Sequence, residues 1–334
     1  MEIKSIGVLG AGTWGMALAR LLANKNYDVT VWSALEGEIE EYSSTRKHPN
    51  LPGMTIPDSI VFTKDLESAL SNKGLVLFAV PSVYIRETAK SVAPFLKEKK
   101  PIIVTVAKGI EKGTSLTMSQ IIEDEMGDGY KVAALSGPTH AEEVALDQPT
   151  TIVAACEDLE IAKIVQDTFM TDNLRVYTNK DINGVEFCGA MKNVIALAVG
   201  ISDGLGFGDN AKAALITRGM REIYKLGTAM GCDDMTFYGL AGIGDLIVTA
   251  TSRHSRNNKC GQLIGQGYTP EAAVKEVGMV VEGLNALPSI MELASKFNIE
   301  VPVSTMLDNI VNKGIKPKDA AIALMQRERK GEIL

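Results

Sequence analysis

Three glycines, Gly10, Gly12 and Gly15, separate a short apolar run, Ile6 to Leu9, from the helix-like stretch Met16-Ala17-Leu18-Ala19. The spacing is G-x-G-x-x-G, and each glycine answers a different physical demand. Gly10 makes the tight turn and Gly12 lets the backbone approach a pyrophosphate. Gly15 lets the helix pack close to the strand, while the unpaired N–H groups of that helix face the phosphates. An ordinary strand-to-helix turn also uses glycine, so the motif counts through its placement after a buried strand and before a helix. Read that way it predicts a dinucleotide site, with Thr13 and Trp14 in the same turn.

Strand-like runs alternate with helical patterns as far as residue 180. The runs are Asp28–Trp32, Ser59–Phe62, Leu75–Val80, Ile102–Ala107, Lys131–Leu135, Thr151–Ala155 and Leu174–Tyr177. Most are dense in Val, Ile and Ala without strict alternation, as strands covered on both faces of a mainly parallel sheet should be. Helical patterns near 13–25, 35–45, 83–93, 115–126, 139–146 and 158–169 supply the crossovers. The expectation is an α/β protein whose residues 1–180 form a Rossmann-like, doubly wound domain. From Asp181 onward only helical patterns occur, clearest from Val185 to Ile201, and Gly200–Asp209 reads as a loop. Residues 181–334 are therefore expected to form an all-α domain, with ligand in the crevice between domains.

Composition narrows the function classes. The chain has 334 residues, room for about two domains. Its 46% apolar and 22% charged content is that of a globular protein. A net charge of −7 argues against a nucleic-acid surface and against attraction to acidic membranes. Cys156, Cys188, Cys232 and Cys260 lie far apart with no C-x-x-C pair, so buried thiols are expected rather than zinc or disulfides. The first strand begins within five residues, leaving no room for a signal peptide, and the longest apolar stretches read as too short for a membrane span. Cytoplasmic residence follows as the expectation.

Several polar groups stand where chemistry is feasible. Lys108 follows the strand Ile102–Ala107, at the edge where the sheet opens toward ligand; a lysine there holds a phosphate or polarises a carbonyl, or else is a surface turn residue. Ser136-Gly137-Pro138-Thr139 forms the next strand-to-helix junction, where Pro138 suits a first helical turn and Thr139 can cap it. Lys192 and Asn193 interrupt an apolar, small-residue helix. A lysine in such a place loses solvation and turns toward acid–base use, or snorkels to solvent. Asp245 and Thr249 are four apart on one helix face. The stretch Thr251–Asn258 follows, dense in hydroxyl, guanidinium and amide groups suited to a phosphate monoester. With three histidines in the chain, a Ser–His–Asp hydrolase has little support.

Taken in order, these segments resemble the NAD(P)-dependent sn-glycerol-3-phosphate dehydrogenases of the bacterial type. The matching stretches are Gly10–Gly15, Ala107-Lys108-Gly109, Ser136–Thr139, Gly184-Val185-Glu186, Lys192-Asn193-Val194, Asp203–Gly206, Ala213–Gly219, Gly239–Gly242, Asp245 and Ser255-Arg256-Asn257. The resemblance implies reversible hydride transfer between NAD(H) or NADP(H) and C2 of dihydroxyacetone phosphate, giving sn-glycerol 3-phosphate for glycerophospholipid synthesis. It implies Lys192 as catalytic acid–base, with Lys108, Asp245 and Thr249 lining the reaction centre and Asp245 holding Lys192. It also implies substrate contacts from Lys108, Gly137, Thr139, Lys192, Asn193, Asp245, Ser255, Arg256 and Asn257. Cofactor contacts are implied for Gly10, Gly12, Thr13, Trp14, Gly15, Ser33, Lys108, Arg256, Val280 and Glu282, with no metal. The expected partners are the small-molecule substrate and a second copy in a homodimer; neither nucleic acid nor membrane insertion is expected.

Two positions depart from the family pattern. His140 stands where phenylalanine is usual. At the end of the second strand, Trp32-Ser33-Ala34-Leu35 has neither the carboxylate of an NAD-selective fold nor the basic residue of many relatives. Arg46 or Lys47 could fold over a 2′-phosphate, so the sequence leans slightly to NADP(H). A hydroxyacid dehydrogenase of the 6-phosphogluconate type shares the layout and the helix lysine followed by asparagine, but not the Asp245 and Ser255–Asn257 cluster. A non-enzymatic sensor of dinucleotide occupancy would leave that cluster unused.

Overall fold

The computed structural model describes residues 3–97, 99–329, 331 and 332; the expected domain ends at 1–2 and 333–334 lie outside the described residues. Eight strands form one sheet: β1 (Ser5–Leu9), β2 (Asp28–Trp32), β3 (Val61–Thr63), β4 (Leu75–Phe78), β5 (Ile102–Thr105), β6 (Lys131–Ser136), β7 (Thr150–Ala155) and β8 (Leu174–Asn179). Their order is β3-β2-β1-β4-β5-β6-β7-β8, and every neighbouring pair is parallel except β6–β7. The order reverses beside β1, which is where doubly wound sheets bind ligands. All residues of β4 and β5 are buried, which explains their unbroken apolar runs. The last strand, β8, alternates instead: Leu174 and Val176 are buried while Arg175 and Tyr177 are exposed.

The crossovers are α1 (Thr13–Asn24), α2 (Glu36–Thr45), α3 (Leu66–Leu70), α4 (Ile85–Leu96), α5 (Met118–Met126), α6 (Ala141–Ala145) and α7 (Leu159–Phe169). Register aligns the strand ends: Leu9 pairs with Trp32 and Phe78, Phe78 with Thr105, and Thr105 with Ala134. The segments after β1, β2, β5 and β6 consequently emerge at one edge of the sheet, and these carry the glycine turn, Ser33, Lys108 and Gly137.

The remaining helices are α8 (Ile182–Gly204), α9 (Asp209–Ala229), α10 (Asp234–Phe237), α11 (Asp245–Thr251), α12 (Arg256–Gly265), α13 (Pro270–Val277), α14 (Glu282–Lys296), α15 (Pro302–Lys313) and α16 (Pro317–Met325). A π-helical turn, Leu240–Gly244, leads into α11. Proline opens α13, α15 and α16, where its fixed φ suits the first turn, and Gly278 and Gly314 end α13 and α15 in the left-handed conformation. The chain divides into two compact units, one running to Gly189 with Met235–Asp245 and the other formed by Ala190–Asp234 with residues from Leu246 on.

Three local expectations need correction. The segment read as a loop from Gly200 is helical as far as Gly204, because its glycines are packing surfaces of α8 rather than breaks. Thr139 does not cap α6; the helix starts two residues later with His140 at the cap, and the Thr139 hydroxyl donates to the Gly137 carbonyl at 3.0 Å. Finally, α8 is long and apolar enough, by length and composition, to cross a membrane. In an 18-residue window of α8, however, 94% of the residues are buried inside the protein, as in a core helix. The four cysteines are buried and form no disulfide among the described residues.

Candidate active site

The turn after β1 has backbone geometry that can receive phosphate. Gly10 has φ +114°, a conformation that favours glycine, and its N–H donates to the Trp32 carbonyl at 2.8 Å. A side chain at Gly15 would run into the Gly10 carbonyl, so the start of α1 lies against the turn. Gly12 differs: a Cβ there would meet nothing within 4 Å, so its glycine keeps space clear beside the helix end. It is also the N-cap of α1 and offers no side-chain acceptor, which leaves the first-turn N–H groups, those of Thr13, Trp14 and Gly15 among them, available to an anion. Thr13 is buried, and Trp14 packs against the core under the sheet. These residues fit a dinucleotide pyrophosphate.

Lys108 emerges three residues beyond β5. Its ammonium donates to Asp245 Oδ2 at 2.6 Å and to the Gly137 carbonyl at 3.0 Å. The lysine side chain is 15% exposed and that of Asp245 only 1%, so the ion pair is shielded from bulk water. Gly137 adopts φ +154°, and its carbonyl takes both this bond and the one from Thr139. The Ser136 hydroxyl beside it is buried without a hydrogen-bond partner among the described residues.

In the helical unit, Lys192 is 6% exposed and donates to Thr249 Oγ1 at 2.7 Å. Thr249 lies one turn beyond Asp245 on α11. Asn193 is buried and its Oδ1 accepts from Asn257 Nδ2 at 2.9 Å, while Asn257 Oδ1 accepts the Gly283 N–H at 2.8 Å. That bond ties the start of α14, with Val280 half-buried before it and Glu282 as its first residue, to α12. Ser255 caps α12, accepting from Asn258 N at 3.2 Å, and Arg256 opens the helix with its guanidinium exposed. What brings α8 and α12 together is a pair of G-x-x-x-G faces. Side chains at Gly200 and Gly204 would strike the Asn258 and Gln262 carbonyls, and side chains at Gly261 and Gly265 those of Leu197 and Ile201. The two backbones are therefore in direct contact.

Comparison with known proteins assigns the chain to a family. Profiles of the NAD-dependent glycerol-3-phosphate dehydrogenase N-terminus and C-terminus match residues 5–162 and 181–322. A Lactobacillus delbrueckii protein named glycerol-3-phosphate dehydrogenase (NAD(P)+) 2 is 58% identical over 336 residues, covering 99% of both chains. The chain belongs to the NAD-dependent glycerol-3-phosphate dehydrogenase family. Another member, from Agathobacter rectalis, is 49% identical over 99% of this chain and 98% of its own. The crystal structure of the Coxiella burnetii glycerol-3-phosphate dehydrogenase superposes with a TM-score of 0.93 at 35% identity, over 97% of this chain and 99% of that one.

Within this glycerol-3-phosphate dehydrogenase fold, several polar residues escaped the sequence reading. Glu186, quoted above without a role, is fully buried and accepts from Ser119 N at 2.9 Å and Ser119 Oγ at 2.5 Å. Burial pushes its carboxyl up to about 7 against those bonds. It clamps the start of α5, and with it the loop after Lys108 that closes through the Ile110–Thr117 bridge, onto the helix that carries Lys192. Glu222 does the same for α15, accepting from Val303 N, Ser304 N and Ser304 Oγ, and burial again raises it to about 7. Asn258 donates to Asp203 Oδ2 and to the Ala250 carbonyl. A buried acid on an apolar helix face is the one sequence signal that could have flagged the two glutamates.

Arg46 is committed elsewhere. It donates to the Ile60 carbonyl at 3.0 Å, pairs with Asp58 at 3.6 Å and stacks over Phe62. It holds its own loop rather than reaching toward a 2′-phosphate, while Lys47 is exposed.

Proposed function

We propose that the chain is an NAD(P)-dependent sn-glycerol-3-phosphate dehydrogenase, interconverting dihydroxyacetone phosphate and sn-glycerol 3-phosphate and supplying the latter to glycerophospholipid synthesis. Residues 1–180 supply most of the dinucleotide contacts and 181–334 most of the substrate contacts. When bound, the nicotinamide supplies or accepts the hydride at C2. Gly10, Gly12, Thr13, Trp14 and Gly15 hold its pyrophosphate, with Ser33, Lys108, Arg256, Val280 and Glu282 as the further contacts. The observation that carries this reading is the buried lysine on a small-residue helix, Lys192, with its ammonium on the Thr249 hydroxyl.

Lys192 gives a proton to the oxygen at C2 as that oxygen gains charge, and takes it back in the reverse direction. Lys108, held by its ion pair with Asp245, stabilises the same developing charge. Asp245 and Thr249, on successive turns of α11, fix the two ammonium groups. Arg256, Ser255 and the N-terminal N–H groups of α12 hold the phosphate, with Asn257 and Asn193 oriented by their mutual bond. Gly137 and Thr139 complete the substrate contacts. Localisation in the cytoplasm fits this activity. Exposed apolar side chains on α16, Ile322 at 45% and Met325 at 87%, support pairing of two copies, which sedimentation would test.

The test of the activity is spectrophotometric. Dihydroxyacetone phosphate should drive oxidation of a reduced nicotinamide dinucleotide, and unphosphorylated dihydroxyacetone should drive little. Equal rates with both ketones would sink the phosphate assignment.

A further inference from the structure

The end of β2 is zipped to the glycine turn by the bond from Gly10 N to the Trp32 carbonyl, and Ser33 is the next residue. Ser33 is 4% exposed and its hydroxyl is fully engaged: it accepts the Leu35 N–H at 3.1 Å and donates to Glu38 Oε2 at 2.6 Å. Glu38 belongs to the first turn of α2 and is half-buried. Its Oε1 makes no hydrogen bond among the described residues. A carboxylate is thus delivered to the strand end from five residues downstream, although no acid follows the strand directly in sequence.

We propose that Glu38, oriented by its bond to Ser33, is the residue that selects NADH over NADPH. In a doubly wound fold the adenosine ribose lies over the end of the second strand, where a carboxylate accepts a hydrogen bond from the 2′-hydroxyl. The same carboxylate repels a 2′-phosphate, which carries a charge of about −1.5 to −2 at neutral pH. Helix geometry reinforces this, because the first turn of α2 favours a negative charge. Arg46 does not offset it, since it is taken up by the Ile60 carbonyl, Asp58 and Phe62, which leaves Lys47 as the candidate cation for the test to examine. The slight lean of the sequence toward NADP(H) is thereby reversed. This assignment rests on the dinucleotide reading of the turn between β1 and α1.

The experiment measures direct binding to the full-length protein, by calorimetry, of NADH and NADPH and of ADP-ribose and 2′-phospho-ADP-ribose. Wild type should bind the ligands without a 2′-phosphate about tenfold or more tightly, the scale set by one or two like charges at contact distance. Glu38→Gln keeps an acceptor for Ser33 but removes the charge. It should abolish most of that preference by tightening the phosphorylated ligands, with an unchanged melting temperature, and Glu38→Ala should abolish it as well. Equal weakening of all four ligands by Glu38→Gln would make Glu38 a structural clip and overturn the proposal. So would wild-type affinity for NADPH equal to or above that for NADH, and loss of such affinity in Lys47→Ala would assign the discrimination to Lys47. Failure of every ligand to bind would overturn the dinucleotide reading itself, and Glu38 with it.

Discussion

The sheet-bearing unit and the helical unit position their polar groups by opposite means. In the first, the backbone does most of it: strand ends in register, a left-handed Gly10, an uncapped helix start and the Gly137 carbonyl that receives Lys108. In the second, side chains do it, carried by helices that meet only because Gly200, Gly204, Gly261 and Gly265 have no Cβ. Glycine serves both units, but it leaves space open beside a helix end in one and removes space between helices in the other. A site made of backbone tolerates side-chain changes around it, whereas one made of packed helices depends on every contact that sets their spacing.

The largest expected effect lies in the helical unit. Lys192→Ala should lower turnover by about two to four orders of magnitude, the range for a lost general acid, while calorimetry finds NADH binding unchanged. Near-normal turnover in the folded variant would remove Lys192 from the mechanism and leave chemistry to the sheet-bearing unit.

Glycine substitutions separate the two uses directly. Gly261→Ala places a methyl group against the Leu197 carbonyl, and overpacking of this kind costs about 1–3 kcal/mol or more, read as a fall in melting temperature. Gly12→Ala meets no protein atom, so its melting temperature should hold while its dissociation constant for NADH rises. A stability loss at Gly12 equal to that at Gly261 would erase the distinction.

Arg256→Ala should raise KM for dihydroxyacetone phosphate by about tenfold or more with a smaller change in kcat, as expected for a lost fork on a non-reacting phosphate. An unchanged KM would move phosphate recognition toward Lys108, in the other unit.

The smallest effect is one the units share. Glu186 and Glu222 are each raised by burial from 4.5 to about 7. Between those values the folded protein keeps protons that the unfolded chain has released, so their contribution to stability is full at acid pH and declines as pH rises to about 7. His48, lowered from 6.5 by burial, opposes them: its contribution is present above 6.5 and is lost as pH falls through its folded value. Glu123 is also raised by burial, so three groups stand against one, and the melting temperature should fall from pH 5 to pH 7 and then level. Glu222→Gln should flatten that slope, and an unchanged slope would show that Glu222 does not titrate in the fold.

Much of the first unit was legible in the chain. Buried parallel strands need unbroken Val, Ile and Leu runs, and β2, Asp28–Trp32, has the limits its sequence pattern predicts. The glycine spacing located the turn because each glycine answers a local backbone demand. The helical unit was legible as helices but not as an arrangement. Gly200 and Gly204 read as a loop because glycine usually breaks helices, and only the opposing Gly261 and Gly265 reveal their purpose. Thr139 looked like a cap for the same kind of reason, since capping chemistry does not disclose which of two neighbouring residues starts the helix.

By itself, then, the sequence determined the alternating sheet, the dinucleotide turn, the helical second half and the types of residue available for catalysis, because these follow from periodicity, backbone freedom and functional-group chemistry within a few residues. Tertiary structure decided which groups meet: Lys108 with Asp245, Lys192 with Thr249, Glu186 with Ser119, and Glu38 with the Ser33 hydroxyl. The first of these pairs is separated by 137 positions. The last spans only five, yet it too depends on how α2 folds back on the strand end, and no periodicity or composition encodes such an approach.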